Sequence, residues 1–544
     1  MKTIFQNGRI FIGPSVSSDA TTTFHSSMVI EDDHIQYVGS ELSEQSKQAK
    51  YSGASIIDLQ NRIVVPSFID AHVHILHFGL SLEKVDLKQC QSLEEIRLTI
   101  KQYATSHPEA PRILCKSWRY SSTDGVALAS MIDDLDERPI LIEASDLHST
   151  WCNTSALKEL QVDPLPNPPG GTIHRDEAGR PSGLLAEAAH FDLVWPFIAR
   201  VTSRGEKLKA LQSAMTAYTS AGYTGLVDMA MDEDTWDVLR EFYTNQKPSI
   251  HIAAHWLIPY TDDHDAMFRY VERAIVLNQE FNINSSRTCY IAGIKLIGDG
   301  VIDGCTAALH QPYSSTGSNV DPIWPQEAML AVVQRADAAG LQCAIHAIGD
   351  RTVTQAIDVL ARVANPSGRH RIEHLELTTV EDARRLGALG ITASVQPVHL
   401  DPAGFASWPR LLGQHRCKRA FAYKEFLEGG APLAFGTDAP TARHLPLPNL
   451  YNATTRRSAH QPESTAAVNE QYGISLATAV TAASTGAAYS CRADHWTGQL
   501  KPGYAANFVV IETDWDPASL LQSRVCQTWF DGKKVFDAVE PVLP

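Results

Sequence analysis

The sequence predicts an α/β protein. A (β/α)8 barrel is flanked by a small β-domain built from both chain ends, and a subdomain is inserted after the first barrel strand. Three observations carry that expectation. Short β-branched or apolar runs recur along the chain, with helix-like stretches between many of them. The two ends share a different style, short strands separated by polar turns. One interval between runs is far too long for a single β/α unit.

The N-terminal end opens with "TIFQNGRIFIG", an Asn-Gly turn between two apolar stretches, which is a hairpin signal. "SSMVIEDDHIQYVGS" and "ASIIDLQNRIVV" continue in that style, and "AANFVVIETD" and "RVCQTWFDGKKVF" repeat it near the other end. Residues 1–65 and about 495–544 are therefore expected to pair into one composite β-domain, with the barrel over 66–494. The barrel strands are read at "IVVPSFIDAHVHIL", "GYTGLVDM" (222–229), "SIHIAAHWLI" (249–258), "YIAGIKLIGDG" (290–300), "QCAIHAIGD" (342–350), "HRIEHLE" (370–376), "ITASVQPVH" (391–399) and "PLAFGTDA" (432–439). Between them, "EAMLAVVQRADAAG" has apolar residues at helical spacing and a glycine after its end. Most gaps match a β/α unit of roughly 30 residues, but the first exceeds it by about 120. The surplus predicts an inserted subdomain near 85–195, which holds the Pro- and Gly-rich "LPNPPGGTIHRDEAGRPSG" and Trp118, Trp151 and Trp195.

Composition narrows the function. At 544 residues, with 44% hydrophobic and 20% charged, the chain is ordinary globular material. A formal charge of -16 argues against nucleic acid as a partner, because phosphate contacts need a basic surface. No apolar run reaches membrane-spanning length, and the start lacks the apolar core of a signal peptide, so a cytoplasmic protein is expected. Nine singly scattered cysteines without a C-x-x-C argue against a disulfide framework or a cysteine zinc ribbon. A homodimer is expected only because two-fold dimers are the commonest assembly.

The chemistry is carried by strand ends. Side chains at i and i+2 share a strand face, so His72 and His74 of "DAHVHIL" face together near the carboxyl end of the first strand, where barrel enzymes keep their active sites. The same reasoning puts His346 near the end of the fifth strand, His374 near the end of the sixth and Asp438 at the end of the eighth. With 21 histidines in the chain, any one of these alone reads as a hydrogen-bonded core group. Four imidazoles and a carboxylate at corresponding strand ends read instead as a zinc site. Lys295, in "GIKLIGDG", falls inside the barrel, and a buried ammonium beside divalent cations is electrostatically unfavourable. Either a carboxylate pairs with it, or its neutral amine takes up carbon dioxide to form a carbamate that can bridge two metals.

At these residues the sequence resembles the amidohydrolase superfamily of metal-dependent hydrolases, and most closely its YtcJ-like branch, which includes N-substituted formamide deformylases. "DAHVHIL", "IKLIGDG", "HAIGD", "RIEHLE", "SVQPVHL" and "FGTDAP" occur in that family's order, and "GGTIHRDEAGRPSGLLAEAA", "DLHSTWCNTSAL" and "LKPGYAANFVVIETD" look like the branch's own motifs. The resemblance implies a distorted TIM barrel and a small β-sandwich made from both ends. It implies His72 and His74 on one metal, His346 and His374 on the other, Asp438 as ligand and proton carrier, and a carbamate on Lys295 as bridge. Leu147 in "DLHSTW" stands where the branch usually has Gly, and "GVIDGCTAALHQPYSS" is longer and more polar than a minimal loop.

The expected reaction is hydrolysis of an amide or related C–N bond of a small organic substrate by a metal-bound hydroxide, with two zinc ions per chain. Trp118 and Trp151 are candidates to shape a substrate pocket, with ordinary subdomain core as the alternative. A mononuclear deaminase is the second enzyme reading, against which Lys295 speaks. A catalytically silent barrel serving as a binding protein is the third, against which the full set of ligand positions speaks.

Overall fold

A computed structural model describes residues 2–13, 22–51, 53–145, 149–168, 171–187 and 189–538. In it the run "IVVPSFIDAHVHIL" divides into two strands with different partners. Ile63–Pro66 joins a six-stranded sheet with strands from both chain ends, and β1 (Phe68–Val73) opens the barrel. Adjacent amides mark the switch: Ser67 N–H donates to Asn507 O at 3.2 Å and Phe68 N–H to Gly222 O at 3.0 Å.

The chain forms two units, Met1–Ile75 with Met215–Pro544, and Leu76–Ala214. The first holds an eight-stranded parallel sheet in sequence order. After β1 come β2 (Tyr223–Met231), β3 (His251–Leu257), β4 (Cys289–Ile297), β5 (Gln342–Ala347), β6 (Arg371–His374), β7 (Thr392–Val395) and β8 (Leu433–Phe435). Nearly every residue of these strands is buried, as parallel strands covered by helices must be. The helix α1 (Gln326–Ala338) follows β4, and α2 (Asp350–Val363) follows β5. α2 buries Val353, Ala356, Ile357 and Leu360, one stripe at helical spacing.

Ring closure between β8 and β1 is irregular. Past the end of β8, Asp438 N–H donates to His72 O at 2.7 Å and His74 N–H to Ala439 O at 3.0 Å. The Asp70 carboxylate adds a side-chain staple, accepting from Thr437 N–H at 2.9 Å and Thr437 Oγ1 at 2.5 Å. Tyr218 OH donates to the same carboxylate at 3.2 Å. Against β2, three steps of β1 from Asp70 to Val73 face two steps from Leu226 to Asp228. The extra residue makes a bulge that falls beside His72, and bulges re-aim side chains.

Two further sheets complete this unit. The six-stranded sheet runs Lys533–Asp537, Arg524–Phe530, Phe508–Glu512, Ile63–Pro66, Arg9–Phe11, Phe24–His25, so strands from both chain ends pair directly. A four-stranded sheet runs His34–Gly39, Ser27–Glu31, Lys2–Gln6, Ser55–Asp58. Phe5, Ile10, Met28, Val64, Phe508 and Trp529 share one core, with the Phe5 ring edge-on to both Phe508 and Trp529. The fold is a barrel with a sandwich domain.

The second unit is wider than the insertion expected at 85–195. It has its own six-stranded mixed sheet and a core of Ile96, Ile100, Ile113, Ile140 and Ile142 around Trp118 and Trp151. Leu147 of "DLHSTW" lies outside the described residues. All nine cysteines are free thiols, and among the described residues no helix is long and apolar enough to cross a membrane.

Candidate metal centre

At the carboxyl ends of the barrel strands a chain of buried polar groups fixes His72. Arg371 and Glu373, both on β6 and fully buried, form a two-point ion pair, Nε to Oε1 at 2.5 Å and Nη2 to Oε2 at 3.0 Å. Arg371 also donates to Ala71 O and Ser394 Oγ, both at 2.6 Å. Burial alone pushes the Glu373 carboxyl up, but the Arg371 guanidinium and the His72 hydrogen bond hold it well below the usual range. Glu373 Oε2 lies 2.8 Å from His72 Nδ1, so an ionised acceptor takes the N–H there and leaves the lone pair on Nε2. That Nε2 stands 3.4 Å from Asp438 Oδ1, and His74 Nε2 stands 3.1 Å from the same oxygen.

His374, at the end of β6, completes the group. Its ring centroid is 4.9 Å from that of His72 and 4.4 Å from that of His346. One donor atom each from His72, His374 and Asp438 lies within 4.8 Å of the other two, a spacing that fits a single metal ion. His374 Nδ1 is buried without a hydrogen-bond partner, and buried Asp438 Oδ1 faces the imidazole nitrogens of His72 and His74. A buried imidazole nitrogen left unpaired beside a carboxylate is what a cation would satisfy. The two residues also adopt left-handed backbone, φ 76° at His374 and 59° at Asp438, which non-glycine residues rarely do. Such strain clusters at functional sites.

The electrostatics suit ligation. Burial, reinforced by Lys295, lowers His72 to about 4 and His346 to about 3. Burial and the neighbouring imidazoles of His346 and His72 take His374 well below its ordinary value. All three are neutral at neutral pH and carry free lone pairs. Burial acts to raise Asp438, but His72 and His74 hold it well below the carboxylate range, so it is ionised. Neutral imidazoles with one carboxylate are a zinc-type donor set.

The residues expected from the sequence are not placed alike. His72, His374 and Asp438 converge, and His74 touches Asp438. The His346 ring packs on His374, but its Nε2 faces Gly300 O at 3.3 Å and Asp299 Oδ1 at 3.4 Å. Lys295 is buried, and burial lowers it to about 8 against the pull of Glu373 and Asp438. Among the described residues no carboxylate comes within ion-pair distance of its ammonium. Trp118 and Trp151 are fully buried in the second unit, 5.3 Å apart, and Trp151 Nε1 donates to Leu128 O. Both rings belong to the core of that unit.

Several groups escaped the sequence reading. Arg371 and Glu373 are charged residues two apart in a buried strand, a signal that was available. Asp299 is fully buried and accepts from the backbone N–H groups of Ala308, Ile348 and Gly349, clamping the loop after β4 to the loop after β5. Asp228 of β2 accepts from Ile75 N–H at 2.9 Å. His399, in the turn Pro397–Leu400 after β7, lies beside Glu376, with Nδ1 3.3 Å from Oε1. Extending the strand-end count to the seventh strand finds it.

The profile of the amidohydrolase family matches residues 55–536. Among curated relatives, the Arabidopsis thaliana protein LONG AFTER FAR-RED 3 is 31% identical over 97% of this chain and 91% of its own length. The putative amidohydrolase YtcJ of Bacillus subtilis is 25% identical over 99% of this chain and all of its own. N-substituted formamide deformylase of Arthrobacter pascens is 23% identical over 94% of this chain and 95% of its own. Among solved structures, an uncharacterised metal-dependent hydrolase from Pyrococcus furiosus superposes with a TM-score of 0.78 at 23% identity, over 95% of this chain and all of that one. It shares the fold.

Proposed function

Because the chain belongs to the amidohydrolase family, we propose that it hydrolyses an amide or related C–N bond of a small organic molecule at a divalent metal centre. His72, His74, His346, His374 and Asp438 would hold the metal, most simply two zinc ions, with a carboxylated Lys295 as bridge. One observation carries this reading: neutral imidazoles and an ionised carboxylate converge within ligand distance, with His374 Nδ1 buried and unsatisfied. A buried lysine with no carboxylate at ion-pair distance among the described residues supports the carbamate, which replaces a cation by an anion. The name of the Arthrobacter relative suggests N-substituted formamides as the first substrates to try.

When bound, a divalent metal polarises the substrate carbonyl and makes water acidic enough to be deprotonated near neutral pH. The protein's own groups do the rest. Glu373, braced by Arg371, holds His72 in the tautomer that offers Nε2. Asp438, ionised and next to the metal donors, accepts a proton from the attacking water. That proton must reach the nitrogen as the C–N bond breaks, because an amine anion is too basic to leave.

Metal-stripped protein reconstituted with zinc should hydrolyse members of a panel of N-substituted formamides, N-acyl amines and aryl amides. Activity should disappear on chelation and return with zinc, at two ions per chain by elemental analysis. A single ion with turnover of aminated aromatic rings would favour the mononuclear deaminase, which the compact triad of His72, His374 and Asp438 also accommodates. No turnover with a full metal complement would end the hydrolase reading.

A further inference from the structure

The two oxygens of Asp438 face different neighbours. Oδ1 faces the metal-donor side, 3.4 Å from His72 Nε2 and 3.1 Å from His74 Nε2. Oδ2 faces His399, whose Nε2 is 3.8 Å away. That distance exceeds a hydrogen bond, so the two groups confront one another across a gap instead of pairing. The His399 ring is held from three sides. Its Nδ1 meets the buried carboxylate of Glu376 at 3.3 Å. The ring lies parallel to that of His374, with an interplanar angle of 8° and centroids 6.0 Å apart. Its turn is braced to the Asp438 segment through buried Asn449, which accepts from Val398 N–H at 2.8 Å and donates to Gly436 O at 3.1 Å. The side chain nevertheless remains 19% exposed. A carboxylate-oriented imidazole, set beside the proton-accepting carboxylate and open on one side, has the form of a catalytic acid–base pair.

We propose that His399 is a catalytic residue that meets the departing nitrogen of the substrate, with Glu376 as its positioning residue; this rests on the C–N hydrolase reading above. Asp438 takes the proton released by the attacking water. In the substrate complex the gap closes to hydrogen-bond distance, and His399 receives the proton from Oδ2 and delivers it from Nε2 to the nitrogen. The C–N electron pair stays on that nitrogen, which leaves as the neutral amine, and water supplies the oxygen and both protons of acid plus amine. Asp438 and His399 end as they began. His374, Glu376 and His399 also have donor atoms within 4.8 Å of one another, so metal ligation at this second triad is the competing role.

The test separates the two roles and also stands apart from the reaction. His399→Asn should bind as much zinc per chain as the wild type. Its kcat/KM should fall about 10²-fold or more for N-benzylformamide, whose amine needs a proton, in line with typical acid–base contributions. The fall should be below about 10-fold for 4-nitrophenyl formate, whose leaving group departs as a stable anion. Glu376→Gln, which keeps an acceptor for Nδ1, should lose less than Glu376→Ala. An equal fall on both substrates, or the loss of a zinc equivalent, overturns the proposal. A crystal structure of the zinc-loaded wild type soaked with benzylamine should place the amine within hydrogen-bond distance of His399 Nε2. Zinc on His399, or the amine elsewhere, overturns it whether or not any substrate is turned over. If the wild type cleaves neither substrate, the functional reading fails separately and the benzylamine structure still decides the role of His399.

Discussion

At the scale of single residues, Asp438 can be separated as proton acceptor from Asp438 as ligand. Asn keeps an oxygen for the metal but cannot take a proton. Asp438→Asn should therefore keep its fold and most of its metal while kcat falls about 10²–10⁴-fold, because the lost interaction belongs to the transition state. Bound metal and kcat measured on the same preparation check this, and near wild-type kcat with full metal would remove Asp438 as the acceptor. Glu373 gives a complementary case. Glu373→Ala leaves the Arg371 guanidinium buried without its anion and removes the acceptor that holds His72. Breaking a buried pair costs about 3–5 kcal/mol, and loss of a ligand's supporting hydrogen bond typically weakens metal affinity about 10–100-fold. Urea unfolding and competition with a zinc chelator measure the two effects, and unchanged affinity would mean that Glu373 does not orient the ligand. Residues of this kind explain the limits of the sequence reading. His72, His74, His346, His374 and Asp438 could be singled out because strand ends are legible from apolar runs. Glu373 shows in the sequence only as a charged residue in a buried strand, since nothing in "RIEHLE" says that its carboxylate meets a histidine 301 positions away.

At the scale of elements, each barrel strand was visible as a β-branched run, yet the partners of those runs were not. Both halves of "IVVPSFIDAHVHIL" are apolar, so periodicity cannot show that Ile63–Pro66 pairs with Phe508–Glu512 while β1 enters the barrel. Closure of the ring was equally hidden, because it depends on Asp70 and Thr437, which are 367 positions apart. The closure leaves no room at Gly436. A Cβ there would sit 2.6 Å from both the backbone nitrogen and the Cβ of His72, and neither atom can swing away. Gly436→Ala should force β8 from β1 at the position that sets His72. Overpacking of this kind costs about 1–3 kcal/mol, and zinc affinity should fall with it. Gly404→Ala, where nothing lies within 4 Å of the added carbon, is the matched control. Equal melting temperatures and zinc affinities for the two variants would show that the strand junction is not tightly set.

At the scale of the whole molecule, the buried imidazoles of the barrel predict how the fold responds to acid. His251 and His255, both on β3, are fully buried. The His251 ring packs against Trp496, and His255 Nε2 meets Gln342 Oε1 at 2.9 Å. Burial lowers His251 to about 4, and burial with Arg371 lowers His255 to about 3. Unfolding frees each to titrate near 6.5, so below that pH the unfolded chain binds protons that the folded protein does not. Stability is therefore fully present above about pH 6.5 and is lost as pH falls toward 4. The slope is about 1.4 kcal/mol per pH unit for each such proton, so His251 alone accounts for on the order of 3 kcal/mol across that window. Against a total of about 5–15 kcal/mol for a native domain, two such groups are enough to bring acid unfolding well above the range where exposed carboxylates titrate. Metal-stripped protein is the proper sample, because bound metal would hold the ligand histidines unprotonated and add a pH dependence of its own. Urea unfolding of that sample between pH 7.5 and 4.5 should give a falling stability whose slope in His251→Leu is shallower by about one proton, since leucine fills a similar volume and has nothing to titrate. Parallel slopes for wild type and variant would mean that His251 is already protonated in the fold, or reached by water, and that the barrel interior is less closed than its packing implies.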